Sequence, residues 1–434
     1  MPFRIALSGL NAASADLKAT GNNIANANTT GFKSSRTEFV DVFAVGYGGI
    51  SATAIGGGTR LAAVTQQFSQ GNVDFTDNNL DIAVNGQGFF VLSDSGSRVL
   101  SRAGAFSSDR DGFIINSSGH KLQVFPAVTS AGGTSFDTGR LADLQLSTSE
   151  GAPSSTDLIT SELNLDASEP VPAIAFNPNL PESYNSSTSV TVYDSLGTTH
   201  TATQYFRKES PNIWSAYVYV DGNAVSPGAP RAPGEPVRLT FTQQGGLDIA
   251  ATDADAANTA APPLTTVSPG TYNLGTTTFI TASGGAAEMS MDLDFSDLTQ
   301  YGSSFAVNAL SQNGFTTGRL SGVNIDAEGI ISAAFTNGQS QILGKIALAN
   351  VSNPNGLSPQ GDTVWQETFG AGDLILGEAG TASFGLMQSG ALEGSNVDIS
   401  AQLVNLITAQ RNFQANAQVI STADTVTQTI INIR

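Results

Sequence analysis

The side chains that most often carry enzyme chemistry are sparse in this chain of 434 residues. It holds two histidines, His120 and His200, and no cysteine. Thiolate nucleophiles, disulfides and thiolate zinc sites are therefore excluded. Each histidine lies in a stretch with strand character, where an imidazole usually makes a structural hydrogen bond. We expect neither histidine to be catalytic.

Three short groupings match known site motifs only in part. The run Asp109-Arg110-Asp111-Gly112 lacks the third acid and the distal glutamate of a calcium loop, which favours a turn between strands. Gly86-Gln87-Gly88 joins two apparent strands and opens no helix, so it predicts a hairpin turn instead of a dinucleotide loop. Asp292, Asp294 and Asp297 fit the solvated face of a strand. None of these groupings predicts a metal or a cofactor.

The sequence also lacks the short motifs that mark common active sites. It contains no P-loop, no HExxH and no GxSxG pattern. Asp194, Asp253 and Asp255 are acids that a glycan hydrolase would need, but nothing in the sequence positions two of them as a pair. We predict that the chain is not an enzyme.

The elements that surround these residues are β-strands enclosed by two helical ends. Both ends carry apolar residues at alternating steps of four and three, which is the seam of a coiled coil. The seam residues expected to drive assembly are Leu7, Leu10, Leu17, Ile24, Leu403, Leu406, Phe413 and Ile420. Burying one such seam does not offset the cost of ordering its backbone, so an isolated end should not be folded. Two solutions remain open, because several copies could share their seams or the two ends could pair within one molecule.

Two polar or flexible sets accompany the N-terminal helix. The asparagines Asn22, Asn23, Asn26 and Asn28 fit a helix end and hydrogen bonds between subunits equally well. Residues 37–70 read as an extended, partly flexible connector because of their glycine content. The glycines of this connector are Gly46, Gly48, Gly49, Gly56, Gly57 and Gly58.

The predicted fold is mainly β with α-helical ends, arranged as nested domains. Residues 1–36 and 393–434 form the helical terminal domain. Residues 71–147 and 292–392 form an inner β domain built from two chain segments, and residues 148–291 form an outer β domain inserted between them. Insertions of this kind are tolerated where chain ends lie close together.

Charge and hydropathy limit the partners and the route of the chain. The formal net charge is −19, and the ends are close to neutral, so nucleic acid is not an expected partner. No apolar run is long enough to span a membrane, which predicts no membrane insertion. The N-terminus lacks the apolar core of a Sec signal, so any export would use a route that reads no cleavable signal.

Particular runs at both ends resemble the bacterial flagellar rod and hook axial proteins. The runs are GNNIANANTTGFK at 21–33 and LVNLITAQRNFQANA at 403–417. A third run, LDIAVNGQGFF at 80–90, resembles the inner β domain of that family. The long insert favours a hook subunit over a distal rod subunit, because rod proteins of the family are mostly short.

The resemblance implies a function, a location and a set of partners. It implies an extracellular subunit of the flagellar hook that polymerises with itself into a flexible helical tube, transmits torque and acts as a universal joint between rod and filament. The implied partners are the hook cap, the distal rod, the hook–filament junction proteins and the flagellar type III export apparatus. The connector glycines would absorb changes in subunit spacing. The alternatives are a distal rod protein and, in another class, a secreted β-domain adhesin that oligomerises through its ends.

Overall fold

The computed structural model describes residues 2–43, 56–130, 133–146, 151–225, 234–252, 265–268, 270–276, 285–287, 289–381 and 383–432. The chain divides into two compact units. The first comprises Met1–Thr148, Ser321–Ala334 and Ser340–Arg434, and the second comprises Ser149–Leu320 and Phe335–Gln339. The predicted class, mainly β with helical ends, is confirmed.

Two long helices and thirty strands make up the described part of the chain. The helices are α1 (Pro2–Ala25) and α2 (Ile399–Asn432). The strands before the second unit are β1 (Ser35–Asp41), β2 (Thr59–Gln66), β3 (Val73–Phe75), β4 (Ile82–Asn85), β5 (Phe89–Asp94), β6 (Ser97–Ser101), β7 (Ser107–Ser108), β8 (Ile114–Ile115), β9 (Lys121–Ser130), β10 (Gly133–Phe136) and β11 (Ala142–Asp143). Those of the second unit are β12 (Leu158–Asp166), β13 (Ser186–Tyr193), β14 (Thr199–Ser210), β15 (Ile213–Val220), β16 (Asn223–Ala224), β17 (Val237–Thr240), β18 (Thr265–Ser268), β19 (Thr271–Thr276), β20 (Ser290–Asp294), β21 (Thr299–Tyr301) and β22 (Ala306–Gln312). The last strands are β23 (Leu320–Ile325), β24 (Ile330–Phe335), β25 (Ser340–Val351), β26 (Ser358–Gly361), β27 (Val364–Gln366), β28 (Leu374–Glu378), β29 (Leu386–Ser389) and β30 (Ala391–Glu393).

The main sheet of the first unit combines strands from both segments of the chain. Its strand order is β23-β24-β25-β9-β5-β6-β27-β26. The core beneath it contains Phe89, Phe125 and Trp365, with small alanines of β25 packed among them. Two short ladders, β3 with β30 and β4 with β29, also join residues from opposite ends of the sequence. The first unit therefore cannot be completed without the C-terminal part of the chain.

Two local predictions are corrected in this unit. The predicted connector at 37–70 is not simply extended, because β1 and β2 pair as an antiparallel hairpin from Ser35–Gln66 to Asp41–Thr59. The turn at Gly86-Gln87-Gly88 does not close a hairpin either. β4 pairs with β29, and β5 pairs with β6, so the turn carries the chain from one sheet into another.

The second unit contains two sheets around one core. One sheet has the order β18-β19-β20-β12-β21 with β22 also on β12, and the other has the order β13-β14-β15-β16 with β17 on β15. Every second side chain of β14 is buried from Ala202 to Lys208. Phe206, Trp214 and Phe295 are fully buried at its centre.

The division observed in the structure moves one predicted domain boundary. The predicted return to the inner domain at Asp292 lies inside the second unit, which continues to Leu320. The cause is pairing, since β20 and β21 lie parallel to β12 and β22 lies antiparallel to it. The start of the unit at Ser149 is next to the predicted start at residue 148.

Candidate assembly surface

The two terminal helices pack against each other within one molecule. Asn23 donates a hydrogen bond to Gln402 (Nδ2 to Oε1, 3.3 Å), while Gly9 lies against the side chain of Asn416. The first contact joins the end of α1 to the start of α2, and the second joins the first half of α1 to the second half of α2. The two helices therefore run antiparallel. Of the two solutions that the sequence left open, pairing within the molecule is present.

The start of α2 is fixed by its own sequence. The carboxylate of Asp398 accepts hydrogen bonds from the backbone N–H groups of Ser400 (2.8 Å) and Ala401 (3.2 Å). This is the N-cap arrangement, which satisfies donors that the first helical turn leaves unpaired. The cap sets the direction in which α2 leaves the β unit.

Small residues occupy the most buried positions between the helices. Ala6, Ala13 and Thr20 of α1 recur every seven residues and are 3, 6 and 4% exposed, and Ala409 of α2 is fully buried. A Cβ on Gly9 would lie 2.5 Å from the Asn416 side chain. Small side chains at these positions allow the two backbones to approach closely.

The large apolar residues of the predicted seams lie beside this contact. Leu7 and Leu403 are 52 and 47% exposed. The remaining seam residues are half-buried; they are Leu10, Leu17, Ile24, Leu406, Phe413 and Ile420. Each helix therefore uses one side of its apolar face within the molecule and leaves part of it in solvent.

The end of α2 extends beyond the start of α1. The antiparallel register places Pro2 of α1 opposite a point near Asp424, so roughly nine residues, or about 13 Å of helix, project past it. Val426 and Ile431 on this projection are 53 and 65% exposed. We call the projecting residues Asp424–Asn432 the overhang.

The predicted asparagines have different surroundings. Asn23 is buried and exchanges two hydrogen bonds of 2.8 Å with the backbone of Ser35, which fixes the chain as it enters β1. Asn26 bonds back to Asn22 at the end of α1. Asn22 and Asn28 are exposed. Three of the four thus remain accessible, wholly or in part.

Gly56, Gly57 and Gly58 of the predicted connector lie just before β2, next to the end of the β1–β2 pairing. Gly58 has a φ of +107°, and a Cβ there would lie 2.1 Å from the Ser8 hydroxyl. That hydroxyl accepts a hydrogen bond from the N–H of Thr59 (3.1 Å), which holds the hairpin on α1. A Cβ on Gly57 would lie 3.0 Å from the carbonyl of Val42, and one on Gly56 would make only ordinary contacts. Gly46, Gly48 and Gly49 lie outside the described residues.

The hairpin leaves apolar side chains in solvent. Phe39 and Leu61 face each other across the two strands, and they are 39 and 41% exposed. Val64 is 53% exposed. An isolated two-stranded hairpin is only marginally stable in water, so this apolar surface suits a further packing partner.

A buried ionic cluster was missed by the sequence analysis. Glu393 lies between Lys33 and Arg102, and all three side chains are at most 5% exposed. Lys33 ends the run 21–33 that suggested the family, and Glu393 precedes the C-terminal run by ten residues, but no local pattern links residues 360 positions apart. Only the residue types could have suggested the cluster. Charged side chains within apolar, glycine-rich runs are rarely buried unless they have a partner of opposite charge.

The residues considered first for chemistry have structural contacts. His200 lies between Asp221 and Asp194 in the second unit, and His120 contacts Asn116. Asp109 accepts hydrogen bonds from the backbone of the turn that follows it. Within the described residues, no group of three or more histidine, aspartate or glutamate side chains could hold a metal ion. No helix in that part of the chain is long and apolar enough to cross a membrane.

Four protein-family models match successive parts of the chain. Residues 3–33 match the flagella basal body rod protein model, and residues 83–162 match the flagellar hook protein FlgE/F/G D1 domain. Residues 164–315 match the flagellar basal body protein FlaE D2 domain, and residues 388–433 match the C-terminal model of the flagellar basal body rod FlgEFG protein. The D2 match lies within the second unit of the structure.

Whole-chain relatives decide the family. The flagellar hook protein FlgE of Salmonella typhimurium is 37% identical over 437 residues, covering 100% of both chains. That of Escherichia coli is 36% identical over 438 residues with the same coverage. The chain belongs to the flagellar hook proteins. The hook protein of Borreliella burgdorferi is 30% identical over 447 residues, covering 99% of this chain and 98% of its own.

A solved hook protein has a partial likeness to this hook protein. The crystal structure of Helicobacter pylori flagellar hook protein FlgE2 gives a TM-score of 0.49 at 14% identity, covering 74% of this chain and 100% of that one. The motif-based assignment to the hook branch of the axial proteins is confirmed by the full-length relatives.

Proposed function

We propose that this hook protein polymerises through its paired terminal helices into the flexible helical tube that transmits torque between rod and filament. The observation that carries the proposal is the overhang. It presents Val426 and Ile431 to solvent at the end of a helix that is otherwise paired. A contact between different surfaces of successive copies generates an open helical polymer when the rotation between copies does not close into a ring.

The remaining exposed seam residues and the hairpin enlarge this surface. Leu7, Leu403, Phe39 and Val64 are all at least 39% exposed within the same unit. In the polymer, the small-residue contact would hold α1 and α2 together inside each subunit. The large apolar residues and the accessible asparagines would then contact neighbouring copies. The apolar connector hairpin would follow changes in subunit spacing as the tube bends.

The partners and the route of the subunit follow from the same role. A hook subunit would meet the hook cap during addition, the distal rod at one end of the tube and the hook–filament junction proteins at the other. It would reach that location through the flagellar type III export apparatus without a cleavable signal. The family is structural, and we assign the chain no catalytic role.

Substitutions in the overhang test the proposal. The double substitution Val426→Ser/Ile431→Ser removes two apolar side chains that are more than half exposed, so folding should be unchanged. Under salting-out conditions the unchanged chain should sediment as polymer, and the double variant should remain soluble at concentrations at least about tenfold higher.

A matched control removes similarly exposed apolar side chains elsewhere. Val171 and Leu180 of the second unit are 47 and 48% exposed. The variant Val171→Ser/Leu180→Ser should polymerise like the unchanged chain. Polymerisation of the overhang variant at the concentration of the unchanged chain would contradict the proposal.

A further inference from the structure

The carboxylate of Glu393 compensates two buried cations at once. Lys33 Nζ lies 2.6 Å from Glu393 Oε1, and Arg102 Nη1 lies 3.0 Å from Glu393 Oε2. The side chains of Lys33 and Glu393 are fully buried, and that of Arg102 is 5% exposed. Such a cluster is stable only while every charge keeps its partner.

Backbone groups around the cluster add further hydrogen bonds, although Arg102 Nε has no hydrogen-bond partner among the described residues. Lys33 Nζ donates to the carbonyl of Ser69 (2.8 Å), and the N–H of Gly71 donates to Glu393 Oε1 (3.0 Å). Arg102 Nη2 donates to the carbonyl of Gly86 (2.6 Å). Three separate stretches of the chain therefore contact one carboxylate, through Lys33, Gly71 and Arg102.

The residues after Glu393 hold the same stretches together. The N–H of Gly31 donates to the carbonyl of Glu393 (2.8 Å), and the N–H of Gly394 donates to that of Asn72 (2.7 Å). The side chain of Asn396 accepts from the N–H of Ser34 (2.7 Å) and donates to the carbonyl of Gln67 (2.7 Å). The segment 393–396 thus joins the exit from α1, the exit from the hairpin and the start of the β domain.

Without Glu393 the cluster would hold two buried positive charges and no negative one. Burial lowers the pKa of both Lys33 and Arg102, and the negative charge of Glu393 opposes that effect. Among the residues that the structure describes, no second carboxylate forms an ion pair with either cation. Before residue 393 is in place, two like charges would have to be buried side by side, which is strongly unfavourable.

We propose that Glu393 is a latch that delays the folding of the first unit until the C-terminal segment is in place. All strands of that unit except β30 precede residue 390, yet their junction with α1 depends on this carboxylate. A chain delivered from its N-terminus would therefore keep its first unit open until its last residues arrive. The second unit contains no residue of the cluster and would fold without waiting. The latch is independent of polymerisation and does not rest on it.

Hydrogen exchange of the full-length chain tests the latch with Glu393→Gln, which keeps the shape of the side chain and removes its charge. We expect amides in 31–36, 67–75 and 84–102 to exchange at least about 100-fold faster, and amides in 186–220 of the second unit to be unchanged. The proposal would be overturned if the amides in 31–36, 67–75 and 84–102 of Glu393→Gln exchanged as slowly as those of the unchanged chain. An equal loss of protection in the second unit would also overturn it.

Glu378→Gln is the matched control. Glu378 pairs with Lys345 at 2.6 Å in the same unit, but its side chain is 28% exposed. Its substitution should speed exchange only near 345 and 378, and by less than about tenfold. If Glu378→Gln opened the unit as widely as Glu393→Gln, the special role of Glu393 would be lost.

A triple substitution separates charge from shape. Lys33→Met/Arg102→Met/Glu393→Met removes all three charges and should restore protection to within about tenfold of the unchanged chain. Exchange as fast as in Glu393→Gln would show that shape, not charge, governs the junction.

The order in which segments fold tests the latch directly in the unchanged chain. In pulse-labelled refolding, 84–102 and 391–398 should become protected in one phase, after 186–220. Protection of 84–102 ahead of 391–398 would contradict a latch.

Discussion

His200 of the second unit lies between the carboxylates of Asp221 and Asp194. Its Nδ1 lies 2.6 Å from Asp221 Oδ2, and its Nε2 lies 3.4 Å from Asp194 Oδ2. Burial opposes the charged imidazolium, but the hydrogen bonds and negative charges of Asp221 and Asp194 outweigh it and raise the pKa of His200. Both carboxylates are themselves held by backbone N–H groups.

The raised pKa makes the stability of the second unit depend on pH. A histidine whose pKa is raised by folding stabilises the folded state fully at pH values below its pKa in the unfolded chain, which is about 6.5. This stabilisation is lost as the pH rises through the pKa of the folded state. The unfolding free energy of the second unit should therefore fall as the pH rises above about 6.5. The loss should be on the order of 1 kcal/mol or less, because Asp221 is 46% exposed. Trp214 fluorescence in a Trp365→Phe background reports this unit alone.

Two histidine variants check the assignment. His200→Gln should flatten the dependence above about pH 6.5, whereas His120→Gln in the first unit should leave it unchanged. An unchanged slope in His200→Gln would assign the dependence to another group.

At the residue scale, the sequence predicted poorly which side chains of the helices are the most buried. The heptad predicted Leu7 and Leu403 as residues of an assembly seam, and within one molecule Ala6, Ala13 and Ala409 are the more buried positions of the helices. Alanine adds little apolar area, so hydrophobic patterning favours the neighbouring leucines. The Lys33–Glu393 pair could not be predicted, because it depends on contacts between distant parts of the chain.

At the scale of elements, the hairpin β1–β2 depends on a glycine. Gly58 adopts a φ of +107°, which side-chain-bearing residues rarely adopt, and it packs against Ser8 of α1. Gly58→Ala should destabilise the docking of the hairpin on α1 by roughly 1–3 kcal/mol. Hydrogen exchange of the segment 58–66 measures that loss.

Gly56 is the matched control for Gly58. A Cβ on Gly56 would lie 3.6 Å from the ring of Phe43, an ordinary contact. Gly56→Ala should change exchange in 58–66 by less than the equivalent of about 0.5 kcal/mol. If both alanine variants behaved alike, the docking would not depend on the backbone of Gly58.

The existence of the helices and strands was easier to predict than their pairing. The apolar period predicted both helices, and the strand character of residues 80–92 was correctly expected. The sequence did not reveal that β4 pairs with β29 instead of β5, or that β20 to β22 pair with β12. These pairings join strands far apart in sequence, and similar alternation in neighbouring strands does not select a partner.

At the scale of the whole molecule, the first unit unites both ends of the chain, and the second is an insertion. The first unit holds the paired helices, the hairpin and the buried cluster, while the second has its own aromatic core. This arrangement suits a polymer whose repeated contacts lie at the helical ends. The inserted unit could then vary without disturbing those contacts.

Negative-stain electron microscopy of the unchanged full-length chain, concentrated under salting-out conditions, tests the central claim most directly. The account predicts curved tubes, because a hook subunit must form a polymer that bends. Straight tubes would favour a distal rod subunit. Discrete particles of fixed size would contradict assembly through the helical ends, since they would show that the exposed seams close within a small oligomer.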